Sequence, residues 1–461
     1  MPLEKLEAFI FEQLAATHLP GLSAAVVRGG DVIWARGFGF RDLAAGLPAT
    51  PDTLYGIGSV TKSFTTLAIM QLAEAGLLSV DDPVEKFIPE FQVRPGGELV
   101  RLWHLMTHTS GLPALAYMEQ IIYAHTDGSD IPLPISTTAD LLTFMKDARD
   151  WTLNKPGERW YYLNEGFALL GEIITRVSGQ PYAEYVAEHI LKPLGIARTT
   201  FDQAALAADK NAAVPYVVTP EGKREPSSYV FNTLQADGAL VSSVAEMARY
   251  IQMYLNGGEY NGARLISAAS LAEMQTPRIT QPERGTHFGP PGYAYGLQVT
   301  PDFLGRQVIG HGGSVGVATA HMAFIPAENI GIMLLANGTG YPMSYFAFYG
   351  LAELLGKDPE ALPFIRHMRR LEALTGTYET YRATMRAQIR RAGDFLIYEK
   401  AGKLSQAKAV LIPDDVSDEV STFYVQDGGG VQMPVEFRRK PDGPTEMIFG
   451  RYLFRRTGKL P

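Results

Sequence analysis

The chain has 461 residues, enough for two or three domains and a sizeable buried core. Its net charge of -8 comes without a basic cluster, so nucleic acid is not an expected partner, and the absence of cysteine removes disulfides, thiolate metal sites and cysteine nucleophiles together. No run approaches the roughly 20 apolar residues of a membrane span, and the acidic, interrupted start MPLEKLEAFIFEQL does not read as a signal peptide, so the expectation is a cytoplasmic protein with no membrane partner.

Leu3, Leu6, Phe9, Ile10 and Leu14 recur at helical spacing and predict a first helix. Two apolar runs flank Gly29-Gly30-Asp31 and predict a β-hairpin. The segment TLYGIGSVTKSFTTLAIMQLAEAG opens as a glycine-rich turn and continues as an apolar helix that Gly76 stops. Residues 80 to 210 are mostly helical by pattern, with FALLGEIITRV ending at Ser178-Gly179; residues 113 to 138, rich in Tyr, Met and Pro, read as an irregular loop or lid. A short strand and the helix VAEMARYIQMYL occupy residues 236 to 256. GLQV, VIGHGG, ATAHMAFI and IGIMLLANG then read as sequential antiparallel strands, before a last helix near 343–355. The expected fold class is α+β, with an antiparallel sheet built from both ends of the domain, flanked by helices and interrupted by an all-helical insertion.

The texture changes near Gly356–Arg370, which predicts a boundary between a domain over 1–360 and a second over 371–461. The runs TGTYETY, ATMRAQIRR, DFLIYEK, STFYVQ, PVEFRRK and EMIFGRYLFRR, separated by turn residues, predict a small all-β barrel.

Three short segments carry chemistry. Ser59 and Lys62 are three apart at the start of a strong helix, so hydroxyl and amine share one face, and the Ser59 amide points toward developing negative charge. A lysine works as a base where burial disfavours its ammonium, and the neighbours Phe64, Leu67 and Ile69 supply apolar surroundings. The other reading is a helix cap with a solvated lysine. A second Ser-x-x-Lys, Ser405–Lys408, lies among strand-like runs, where residues three apart point to opposite faces. In Trp160-Tyr161-Tyr162-Leu163-Asn164, a tyrosine can relay a proton and an asparagine can bind a substrate amide or orient the lysine; the alternative is an aromatic core cluster. Gly310-His311-Gly312-Gly313-Ser314-Val315-Gly316 suggests close approach of backbone to a ligand, with the Ser314 amide as a second oxyanion donor, or else a tight turn. Gly312–Gly316 also matches a nucleophile elbow, but strands rather than a helix follow it. His104 and His108 are four apart, without the glutamate of a zinc peptidase or a third ligand. No P-loop or dinucleotide fingerprint is present, so neither metal nor cofactor is expected.

The elements GIGSVTKSFT, LMTHTSGLP, KPGERWYYLNEGFALLGEIITRVSG, PLGI, ADGALVSSVAEMARYI and GHGGSVGVATAHMAFIPAENIGIMLLAN follow one another over about residues 5 to 355. In this order they resemble the serine β-lactamase and penicillin-binding-protein superfamily, in the branch of class C β-lactamases, D-aminopeptidases, carboxypeptidases and esterases. The resemblance implies Ser59 as nucleophile, Lys62 as its base, Tyr162 as proton relay with Asn164 beside it, and the amides of Ser59 and Ser314, next to Gly313, as the oxyanion hole. His311 stands where many β-lactamases have a lysine, which removes a permanent cation and implies pH sensitivity near neutrality. The implied activity is a serine hydrolase forming an acyl-enzyme on small peptides or D-amino-acyl amides, then esters, then β-lactams; a non-catalytic binding protein is the reading from another class. The last residues resemble the lipocalin-like barrel of peptidase-like members, which can assemble as homo-oligomers.

Overall fold

A computed structural model describes residues 3–126, 134–219, 221–229, 234–282, 287–400, 407–414, 422–439 and 442–460. The chain divides into two compact units, Met1–Lys357 and Asp358–Pro461.

The first unit is organised around a nine-stranded antiparallel sheet. In spatial order the strands are Ile279–Thr280, Gly292–Tyr293, Gln298–Phe303, Arg306–Ser314, Thr319–Ile325, Ile330–Ala336, Gly21–Arg28, Asp31–Asp42 and Leu47–Pro48. The two ends of the unit meet in mid-sheet, where Leu22 lies opposite Ala336 and Arg28 opposite Ile330. All of Ile330–Ala336 is buried. Successive strand residues point to opposite faces, and each face here is covered. Gly331 lies against Ile251 of the helix Val244–Leu255, while Ile332 lies against Gly350 of the helix Met343–Leu354. The first helix, Glu4–Thr17, packs on that same side, with Phe9 stacked on Tyr349 at 4.3 Å between ring centres. This is the α+β arrangement expected from the sequence.

Between Leu47–Pro48 and Ile279–Thr280 the chain makes most of its helices, together with three two-stranded ladders. One helix, Tyr117–Thr126, falls in the stretch read as an irregular loop. It is held from outside its own sequence, since Tyr117 is fully buried and its hydroxyl donates to Asp237 Oδ2 at 2.6 Å. Residues 127–133 of that stretch lie outside the described residues. Among the described residues, no helix is long and apolar enough to cross a membrane.

The second unit is a closed barrel of eight strands, Gly376–Glu379, Arg386–Ala392, Phe395–Lys400, Ala407–Pro413, Thr422–Gln426, Gln432–Arg438, Glu446–Phe449 and Tyr452–Gly458. Each pairs with the next, and Thr377 opposite Gly458 closes the ring. Alternate residues point inward, and Tyr378, Ile389, Leu396, Phe423, Phe437 and Phe454 fill the interior. A helix absent from the sequence reading, Pro363–Leu374, adds Leu371 and Leu374 to that core. In the second Ser-x-x-Lys, Lys408 is a strand residue paired with Glu399 at 3.2 Å, and Ser405 lies outside the described residues.

Truncating Ile332 to alanine removes packing from the junction of the central strand and the helix Met343–Leu354. Ile332→Ala is expected to cost about 2–5 kcal/mol. Urea denaturation followed by tryptophan fluorescence checks this, and a loss below about 1 kcal/mol would count against the described packing.

Candidate active site

Ser59 lies in the tight turn Gly58–Val60 that leads into the helix Thr61–Glu74. Gly58 has a left-handed φ of 52°, and a Cβ there would lie 2.6 Å from the Ser314 amide nitrogen. A Cβ on Gly313 would lie 2.0 Å from the Ile57 carbonyl and 3.1 Å from the Ser59 nitrogen. Only glycine at both positions lets the turn and the strand Arg306–Ser314 touch backbone to backbone. The amides of Ser59 and Ser314 meet at this junction.

Lys62 is fully buried, and its Nζ has three acceptors within reach. They are Ser59 Oγ at 3.0 Å, Asn164 Oδ1 at 2.8 Å and the Asp237 carbonyl at 2.6 Å. Asn164 is the first residue of the helix Asn164–Ser178, and its Oδ1 accepts from the lysine. Its Nδ2 donates to Glu119 Oε1 at 3.4 Å. Tyr162 lies over the same group, with Nζ 4.9 Å from its ring centre. Ser59, Tyr162, Asn164, His311, Gly313 and Ser314 all line one cavity of about 660 Å³. Met118, Ile122 and Leu234 give it apolar walls, Glu119 and Asp237 are its carboxylates, and no Lys or Arg is among its described lining residues. All seven residues singled out from the sequence thus converge, with Lys62 directly behind the wall.

His311 departs from the sequence reading. It is 2% exposed, and both ring nitrogens are engaged, Nε2 with the Tyr293 hydroxyl at 2.8 Å and Nδ1 with the Gly312 carbonyl at 2.5 Å. Burial, and then the neighbouring Lys62, hold its value down to about 3. That direction favours the neutral imidazole and runs against the titration near neutrality expected from the sequence. The Tyr293 hydroxyl also meets His108 Nε2 at 3.1 Å. His108 has a φ of 58° and lies beyond the end of the helix Leu102–Met106, so it shares no helical face with His104. His104 Nδ1 accepts from the Arg101 amide at 2.9 Å. Ser314, the serine of the elbow match, is followed by the strand Thr319–Ile325 and not by a helix.

The sequence reading missed the groups behind Lys62. Asp237 stood in the quoted segment ADGALVSS without a role. It is buried, with Oδ1 unpartnered among the described residues, and burial raises its carboxyl although Lys62 opposes this. Glu165, next to Asn164, accepts from the Tyr117 amide at 3.2 Å and is 1% exposed. Tyr293 lay in a segment with no recognisable signal.

Two family profiles match the chain, one described as Beta-lactamase over residues 6–354 and one described as Pab87 octamerisation domain over residues 359–455. The structure is similar to that of an octameric penicillin-binding protein homologue from Pyrococcus abyssi, with 42% identity and a TM-score of 0.91 over 98% of this chain and 100% of that one. Protein flp of Staphylococcus aureus (strain MW2) is 28% identical over 345 residues, 72% of this chain. The match spans 63% of that protein's length. The fold is also that of a D-stereospecific amidohydrolase from Streptomyces sp., at 24% identity and a TM-score of 0.64 over 77% of this chain and 100% of that one.

Burial pushes the Glu165 carboxyl up from 4.5 to about 7, against the hydrogen bond it accepts. A folded value above the unfolded one means that the native state favours the protonated form. That contribution is fully present below about pH 4.5 and is lost as pH rises through about 7. Glu165→Gln keeps an acceptor oxygen and cannot ionise. It is expected to exceed the wild type in stability above pH 7, by up to roughly 3 kcal/mol, and to lose the advantage near pH 5. Urea midpoints at the two pH values decide this, and an equal shift at both would contradict it.

Proposed function

Because the chain belongs to the beta-lactamase family of serine hydrolases, we propose that it acts through an acyl-enzyme on small peptides or D-amino-acyl amides. The observation that carries this reading is the 3.0 Å contact between Ser59 Oγ and the buried Nζ of Lys62, at the wall of a cavity that Ser59 enters.

Ser59 Oγ attacks the substrate carbonyl as its proton passes to Lys62 Nζ. Asn164 and the Asp237 carbonyl hold the lysine in line during the transfer. The amides of Ser59 and Ser314 receive the oxyanion, each worth about 3–4 kcal/mol in comparable sites. The Tyr162 hydroxyl gives its proton to the leaving amine and takes one from Lys62 Nζ; water, losing a proton to the lysine, then attacks the acyl carbonyl, and Ser59 leaves with that proton as the acid is released. The neutral, internally bonded His311 and the lack of Lys or Arg on the described cavity wall leave a substrate carboxylate without a cation there. That favours amides and esters over β-lactams, and makes an esterase of the same family the second reading.

The second unit is the candidate for assembly. Its profile match and the octameric relative support a homo-oligomer built through the barrel, and an eight-stranded up-and-down barrel has the topology of lipocalins. A cytoplasmic location remains part of this reading.

Fluorophosphonate treatment is expected to add one adduct to the wild type and none to Ser59→Ala. Lys62→Met is expected to label about 10²–10⁴-fold more slowly, the usual contribution of a general base. Intact-protein mass spectrometry reads both; an adduct surviving Ser59→Ala removes the nucleophile assignment, and a folded wild type that takes none favours the non-catalytic reading.

Light scattering of the full-length protein is expected to give about eight times the 50.5 kDa chain mass. A monomer at micromolar concentration would dismiss the assembly role.

A further inference from the structure

We propose that His108 and Tyr293 are positioning residues that lock His311 into a single tautomer and, through it, hold the strand carrying the Ser314 amide against the nucleophile turn. The catalytic consequence rests on the hydrolase reading above; the hydrogen-bond pattern does not.

The direction of every proton in this buried chain follows from its first member. The Leu163 amide can only donate, and it donates to His108 Nδ1 at 2.9 Å. A neutral imidazole accepting at Nδ1 carries its hydrogen on Nε2. His108 Nε2–H therefore donates to the Tyr293 hydroxyl, 3.1 Å away. With that side of the oxygen occupied by a donor, the Tyr293 proton is directed to its other neighbour, His311 Nε2, at 2.8 Å. His311 then has its hydrogen on Nδ1, where the Gly312 carbonyl accepts it at 2.5 Å. Reversing one link sets two hydrogens or two lone pairs face to face, in a site where an unmatched polar group costs free energy.

Both ends of the chain are backbone, and both belong to the site. Leu163 stands between Tyr162 and Asn164. Gly312 precedes Gly313, which touches the Ile57 carbonyl, and Ser314, whose amide meets Gly58. The relay thus ties the Tyr162–Asn164 turn to the oxyanion strand across three side chains. Each of the three is at most 2% exposed.

The titratable groups facing His311 are Lys62 from the nucleophile helix, Tyr162 with ring centres 6.3 Å apart, Tyr293, and His321 from the adjacent strand. Burial holds His321 down to about 4, so it adds no charge near neutrality. His108 is held well below its ordinary value by burial and then by Lys62. With both nitrogens of His311 occupied, the residue has no lone pair or hydrogen left for substrate. This assigns it to positioning, where the sequence had placed it among the catalytic groups.

The test uses the full-length protein with ¹⁵N-labelled histidine, the His311 and His108 signals being assigned by their loss in His311→Asn and His108→Gln. His311 is expected as the neutral Nδ1–H form, unchanged between about pH 5 and 9. Titration in that window, or an Nε2–H signal, overturns the proposal whether or not the protein is a hydrolase. Phosphonylation of Ser59 by a fluorophosphonate, with fluoride as the leaving group, supplies the second readout. Tyr293→Phe is expected to be phosphonylated about 100-fold more slowly, as for a misplaced catalytic group, and with a pH profile different from that of the wild type. His108→Gln keeps a donor at the Nε2 position and is expected to retain the wild-type pH profile. A Tyr293→Phe enzyme with lowered thermal stability but unchanged rate and pH profile would reduce the relay to a structural element and overturn its positioning role. A wild type that is never phosphonylated overturns the hydrolase reading and the positioning role together, while the histidine spectra still decide the tautomer.

Discussion

An amine with no access to solvent must find a protein acceptor for every hydrogen it carries. Lys62 Nζ finds three, and they come from three separate places: the turn before its own helix, the first residue of the helix Asn164–Ser178, and the backbone at Asp237. The same three neighbours suit either protonation state. An ammonium donates to all of them. A neutral amine donates to Asn164 and Asp237 and accepts from the Ser59 hydroxyl. A proton could therefore cross between oxygen and nitrogen without any heavy atom changing partner, an arrangement that would spare the proposed hydrolysis a reorganisation.

The helix Thr61–Glu74 is built to keep that nitrogen still. It is buried on nearly every side, and its hydroxyls bond outward to the surrounding chain. Thr65 donates to the Ala236 carbonyl at 2.6 Å, next to the Asp237 carbonyl that receives Lys62. Thr66 donates to the Tyr295 carbonyl at 3.0 Å. Phe64 stacks on Tyr250 with ring centres 3.8 Å apart, in the layer that covers the sheet. The lysine, the segment at Asp237 and the sheet thus share one rigid frame, and Gly58 and Gly313 let the frame close on itself without a side chain between the two backbones.

Much of this was legible. Ser59 and Lys62 were read from residue types three apart on a helix, and the sheet from four alternating runs near one end and a hairpin near the other. These signals are local, carried by period and by glycine. What escaped had no local cause. Tyr117–Thr126 looked irregular because its helix depends on Tyr117 reaching Asp237, far along the sequence. In the barrel, the strand Ala407–Pro413 was overlooked and EMIFGRYLFRR was read as one run, although Gly450, with a φ of 58°, turns it into two strands. The partners of His311 escaped for a related reason: residue identity announces a histidine, but only the packed structure shows the Tyr293 hydroxyl at its Nε2.

The pairing of Gly21–Arg28 with Ile330–Ala336 has a consequence for how the chain comes to be folded. Contacts such as Leu22 with Ala336 close a loop of about 300 residues, and ordering so long a loop precedes any reward from the contact. During synthesis the first hairpin emerges early and waits, its inner edge unpaired, until nearly the whole first unit has been made. An apolar strand edge held open for that long is exposed to pairing with other chains. The barrel has the opposite history, because seven of its eight strand pairs join neighbours in sequence and only the last strand must return to the first. Its register can be set as each hairpin appears, so the first unit, rather than the barrel, sets the pace of folding and carries the greater risk of misassembly.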